Sequence, residues 1–127
     1  MLVVAIAVGG AIGAVMRYLV GSWALQYWGS GFPYGTLLIN VIGSLLIGII
    51  YVLLIEKSAL DGALRAFLIV GLLGSFTTFA TFSLETLHLI EAGALIKAGL
   101  YCFLSVFVCV TAAWLGTVIV RAGLGSA

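Results

Sequence analysis

A chain of 127 residues in which 65% are hydrophobic and 7% are charged lacks the polar surface to clothe a soluble fold of its size, since soluble domains carry about a quarter charged residues. Mean hydropathy is +1.38, and a net charge of +1 argues against the basic patch that a nucleic-acid partner requires. With one Pro and no polar low-complexity stretch, the composition describes a small integral membrane protein.

A bilayer core about 30 Å thick needs roughly 20 mostly apolar residues per helix. Four stretches qualify, at about 2–26, 34–55, 63–90 and 95–120, and the whole chain reads as one four-helix transmembrane domain. The first connection, 27–33, carries turn residues and interfacial aromatics. The second, 56–62, holds Glu56, Lys57 and Asp61, and the third lies around 91–93. The N-terminal stretch lacks the basic n-region of a signal peptide and is too long for an h-region, so it reads as a retained first helix. Continuous apolar runs, without strict alternation, exclude a β-barrel pattern. The tail Leu124 to Ala127 is native or an appended remnant and carries no part of the reading.

Four spans put both termini and the middle connection on one side, with Lys57, Arg65 and Arg121. The opposite side has Lys97, and Arg17 if it reaches out of the first helix. Three against two is too small a bias for the positive-inside rule to choose between orientations. Insertion both ways is the expectation; the plainer alternative is a weak preference for termini and middle connection inside.

Helices in lipid associate through small residues and through polar side chains that find partners. The first span has Gly9, Gly10, Gly13, Ala14, Arg17 and Gly21; the second has Thr36, Asn40, Gly43, Ser44 and Gly48; the fourth has Tyr101, Ser105, Cys109, Ala112 and Gly116. Most of these glycines read as plain packing. The polar members cost more to place. Arg17 either snorkels to the interface or supplies positive potential at the mouth of an anion path. Asn40 cannot snorkel far, and its amide must be satisfied by another helix, by water or by a ligand.

The third span is the unusual one. Residues 71–83 place two Gly, three Thr, two Ser and three Phe near mid-membrane. Gly and Thr are poor helix formers, and hydroxyls compete for nearby backbone groups. A break or unwinding is therefore expected around Gly74 to Thr78. Such backbone is tolerated only inside protein or beside an aqueous cavity, and broken midplane helices are where transport proteins bind ions. Phe79 and Phe82, at i and i+3, project from one face. Their positive edges suit an anion; aromatic packing is the alternative.

These motifs resemble a known family. Gly9 to Tyr18 looks like the GGxxGAxxRY opening of the CrcB/Fluc fluoride channels. Gly35 to Ser44 resembles their GTLxxNxxGS second helix, and Gly71 to Ser83 their GxxGxxTTFSTFS break. The resemblance spans almost the whole chain in order. It implies an antiparallel, dual-topology homodimer of four-helix subunits with two pores, which lets fluoride leak out across a bacterial cytoplasmic (inner) membrane. It implies a structural Na⁺ at the dimer centre, held by main-chain carbonyls that fall on Gly74 and Thr77. By position, the pore rings are Phe79 and Phe82, the pore amide is Asn40, a fourth-helix pore Tyr is Tyr101, and the vestibule Arg is Arg17. The hydroxyls of Thr81 and Ser83 complete a relay of compact donors with no fixed charge. The chain departs from the family at Ala80, where Ser is usual, which implies reduced throughput if that hydroxyl contacts the ion.

Glu85 shares a face with Thr81 and His88, where it tunes an exit or simply meets water near the interface. Cys102 and Cys109, seven apart on one helix, read as packing residues and not a disulfide. A small multidrug-type, proton-coupled transporter is the main rival, but the first span has Arg17 and no acid. A structural membrane subunit would not need Asn40 or the Thr/Phe break, and no nucleophile–base pair or metal set points to an enzyme.

Overall fold

The computed structural model describes residues 1–56 and 62–123, so most of the second connection and the tail at 124–127 lie outside the described residues. Apolar runs with no water to bond their backbone must satisfy it internally, and they do so as helices. Helix α1 is Leu2–Trp28; α2 is Tyr34–Ile50, continued by a π-helical stretch, Tyr51–Glu56. The third span opens with α3 (Gly62–Arg65), passes through a π-helical stretch (Ala66–Leu73) and ends its first half in α4 (Gly74–Phe76). It resumes as α5 (Ala80–Glu91), and α6 is Leu95–Gly123. Among the described residues, four segments are thus long and apolar enough to cross a membrane: Leu2–Trp28, Tyr34–Leu54, Gly62–Glu91 and Leu95–Gly123. The 27 residues of α1 extend about 40 Å at 1.5 Å per residue.

The expected boundaries at 26, 55, 90 and 120 fall within three residues of the helix ends. The π winding was not expected, because i→i+5 bonding leaves no separate mark on an apolar run. Glycine ends two helices. Gly29 (φ +72) donates to Leu25 O at the end of α1. After α5, Gly93 (φ +79) donates to Ile90 O and Ala94 N to Leu89 O, a Schellman turn that sends the chain back into α6.

The helices pack in two pairs, α1 against the first half of the third span and α2 against α6. Both contacts are backbone-close. A Cβ on Gly13 would run into Leu72 O, and one on Gly71 would come within 2.7 Å of Ile6 O. Across the other pair, a Cβ on Gly48 would strike Ala113 O and one on Gly116 would strike Leu45 O. The small-residue stripes therefore set the interhelical distance, as packing motifs in lipid do.

Few large side chains are buried: Tyr101 and Val52 are the largest fully enclosed ones among the described residues. Val3, Leu19, Ile96, Phe103 and Trp114 all face outward. An outer surface this apolar has its natural solvent in hydrocarbon.

Candidate functional site

The site is built around the interruption of the third span. The expected break began at Gly74, but Gly74–Phe76 stays helical, with Gly74 N–H donating to Gly71 O and Ile69 O. The chain leaves the helix at Thr77 (φ −82, ψ 159) and resumes at Ala80. Glycine is permissive rather than helix-ending; the extended Thr77 makes the break.

Three side chains satisfy the backbone that the break exposes. Asn40 lies across it on α2: its Nδ2 donates to Thr78 O at 3.0 Å, and its Oδ1 accepts Thr78 N–H at 2.9 Å. The donor Thr78 N–H must face an oxygen, which sets the orientation of the amide. Thr78 Oγ1 accepts Thr81 N–H at 3.2 Å and caps the returning helix. Arg17 Nε donates to Ser75 O at 2.9 Å, placing a cation at the C-terminal end of the first half. Neither role considered from sequence for Arg17, snorkelling or facing a vestibule, anticipated this backbone contact.

Two carbonyls lose their helical partners as a direct consequence. A continuous helix would pair Gly74 C=O with Thr78 N–H, and Thr77 C=O with Thr81 N–H. Both donors are diverted, the first to Asn40 Oδ1 and the second to Thr78 Oγ1. Gly74 and Thr77 thus present main-chain oxygens outside the helix ladder, on a short stretch beside a cavity that both residues line. This is oxygen chemistry suited to a hard cation.

That cavity has a volume of about 460 Å³, and Asn40, Thr77, Thr78, Phe79, Ser105 and Cys109 are among its lining. Among the described residues no charged side chain lines it. Ser105 Oγ is buried without a hydrogen-bond partner among the described residues. Asn40 uses one amide hydrogen on Thr78 O and carries a second. Close contact keeps Asn40 and the break in register: a Cβ on Gly43, one turn on from Asn40, would collide with the Thr77 methyl.

The remaining residues singled out from sequence distribute around this centre. Arg17, Thr81 and Thr78 line a second cavity of about 240 Å³ with Thr36. Thr36 also lines a third, of about 340 Å³, with Glu85 and His88. Thr78 and Thr36 are thus shared between neighbouring cavities, and a series of polar-edged spaces runs from Glu85 to the break. Thr81 and Asn40 face different members of that series. Ser83 lines none of the three; it is exposed, and its hydroxyl donates to Phe79 O at 3.0 Å.

The Phe79 and Phe82 rings meet with centroids 5.4 Å apart, and Phe82 meets Tyr101 at 4.9 Å. Phe79 is 77% exposed in the single chain, so its ring has room for a further neighbour. Tyr101 is fully buried, and its hydroxyl donates to Glu85 Oε1 at 2.9 Å. Glu85 is therefore tied to the fourth span rather than simply wetted.

Sequence reasoning missed the cap made by Thr78, the orphaned hydroxyl of Ser105, the cavity position of Cys109 and the Tyr101–Glu85 bond. Only the first had a readable signal, a Thr three residues ahead of the N–H it caps. The others depend on which spans are neighbours.

Four apolar spans, the third broken at a half-buried stretch with mainly apolar, polar-edged cavities beside it, define an integral membrane protein. The family model described as CrcB-like protein, Camphor Resistance (CrcB), matches residues 4–117. Similar curated proteins are each named a fluoride-specific ion channel FluC. One from Shewanella amazonensis is 52% identical over 111 residues, covering 87% of this chain and 89% of the relative. One from Roseiflexus sp. is 46% identical over 119 residues, covering 94% of this chain and 96% of the relative. One from Methylococcus capsulatus is 50% identical over 117 residues and 92% of this chain, which spans 51% of that relative's length. The chain belongs to the CrcB family.

Proposed function

We propose that the chain is the subunit of a fluoride-selective channel, and not an enzyme, that lets the anion pass out of a bacterium through its cytoplasmic membrane. The relatives' names supply the ion. The observation that carries the reading is the cavity of about 460 Å³ at the break, with compact donors and, among the described residues, no charged side chain. Fluoride is small and holds water tightly, so a path must offer replacements that are short, neutral and several in number. The second Asn40 amide hydrogen, the Ser105 hydroxyl, and the ring edges of Phe79 and Phe82 are such groups. Thr81 extends the relay, Tyr101 borders it, and Arg17 raises the anion concentration from the cavity it shares with Thr81; Ser83 joins the relay only by giving up its bond to Phe79 O. A full positive charge in the break cavity itself would trap the ion; Arg17 stands in the adjoining one.

The working unit in this reading is an antiparallel homodimer with one pore along each side. Supporting it are the balanced placement of the charges and the exposure of Phe79, whose ring would meet the second copy. A Na⁺ ion at the two-fold axis would be held by the released carbonyls of Gly74 and Thr77 from both copies. Its contribution when bound would be structural, tying the two breaks together.

The test is growth. A bacterium stripped of its own fluoride exporter should grow on fluoride when it makes this chain, and not when it makes a membrane-inserted Phe79→Ala, Phe82→Ala variant. Failure of the inserted wild-type chain to restore growth would overturn the reading.

A further inference from the structure

Phe32, in the connection between α1 and α2, stands outside the relay described above, yet its ring touches the residue that borders it. Phe32 meets Tyr101 edge-on, with centroids 5.5 Å apart and planes at 79°. On the same Tyr101 lie two features of the path: the ring packs on Phe82 at 4.9 Å, and the hydroxyl bonds Glu85 Oε1 at 2.9 Å.

A loop residue is a poor support unless the loop is itself held. Here Lys97 Nζ donates to Gly31 O at 3.2 Å, on the residue just before Phe32. Lys97 precedes Tyr101 by four positions on α6, so one helical face presents the cation and the ring a turn apart. The loop answers with a carbonyl and a ring in consecutive positions. Pro33 narrows the backbone choices of Phe32, and Tyr34 N–H donates to Phe32 O at 2.8 Å. The loop is thus docked at two adjacent points.

We propose that Phe32, docked through the Lys97–Gly31 bond, is a positioning residue of the permeation path that sets the Tyr101 ring and, through it, Phe82 and Glu85. This rests on the channel reading. Without the edge-on neighbour, Tyr101 gains room to tilt away from both partners, and the path loses a correctly placed wall.

The test measures fluoride efflux from proteoliposomes, after subtraction of protein-free vesicles, for wild type, F32A, F32W, Y101L and the double variant F32A/Y101L. An edge-on aromatic pair corresponds to a roughly two- to tenfold equilibrium change, so F32A should slow efflux by about fivefold. F32W keeps a ring in place and should stay within about twofold of wild type. In the Y101L background there is no ring to set, so F32A should change efflux by less than about 1.5-fold, the non-additivity expected of residues acting through one another. A merely structural loop residue would slow both backgrounds alike. Wild-type efflux with an unaffected F32A, or equal slowing in both backgrounds, would overturn the proposal alone. Absence of wild-type fluoride efflux would overturn the channel reading and this proposal with it.

Discussion

Replacing Asn40 with Leu removes both hydrogen bonds that close the break, at 3.0 Å to Thr78 O and 2.9 Å from Thr78 N–H, while keeping the branched shape of the side chain. Two magnitudes compete. Interhelical side-chain bonds in membranes average about 0.6 kcal/mol, because the unfolded chain finds other partners. A buried group left without any partner costs about 1–3 kcal/mol. The second applies here, since the extended Thr77 and the Thr78 cap hold Thr78 away from its helical partners. Both bonds are part-buried and Thr78 borders two cavities, so water offsets some of this, and the two released groups together give a loss of about 1–3 kcal/mol. Unfolding by SDS titration in mixed micelles, followed by circular dichroism, reads this directly. Asn40→Asp keeps an acceptor for Thr78 N–H but no donor for Thr78 O, and should fall between wild type and Asn40→Leu. A loss below about 1 kcal/mol for Asn40→Leu would refute the closing role and return Asn40 to the path alone.

Three further outcomes follow from the packing and the break. Gly48→Ala should lower the melting temperature in detergent by an overpacking cost of about 1–3 kcal/mol, because its Cβ meets Ala113 O; Gly99→Ala, with open space around it, should not. Arg17→Gln removes a charge-assisted bond to Ser75 O and should cost about 1.5–3 kcal/mol, read by the same titration. It should also weaken the dependence of fluoride flux on ionic strength, since Arg17 lines the adjoining cavity. Ala80→Ser restores a hydroxyl at the first residue of α5 and should raise flux with the fold intact; unchanged flux would remove the idea that the hydroxyl matters.

The spans were legible because nothing but a helix satisfies a long apolar run in hydrocarbon. The broken region was legible because Gly, Thr and Ser cluster where helix formers would otherwise stand. Its placement shifted toward Thr77 because local propensity cannot say which residue leaves the helix; Gly74 is held by its own N–H. Asn40 announced itself as a polar group needing a partner, yet that partner sits 38 positions away at Thr78. Arg17 found Ser75 across 58 positions, and Tyr101 found Glu85 across 16. Such contacts depend on the pairing of α1 with the third span and of α5 with α6, which no periodicity in one helix encodes. Phe32 was legible only as an interfacial aromatic; its contact with Tyr101 comes from the docking of its loop.

Selectivity for fluoride, in the channel reading, comes from the neutral cavity beside the break. Its most direct measurement is paired efflux from proteoliposomes loaded with fluoride or with chloride, with a permeant counter-ion to hold the potential. A fluoride-selective path should release fluoride rapidly and retain chloride. Equal release of both ions, or of neither, would contradict it.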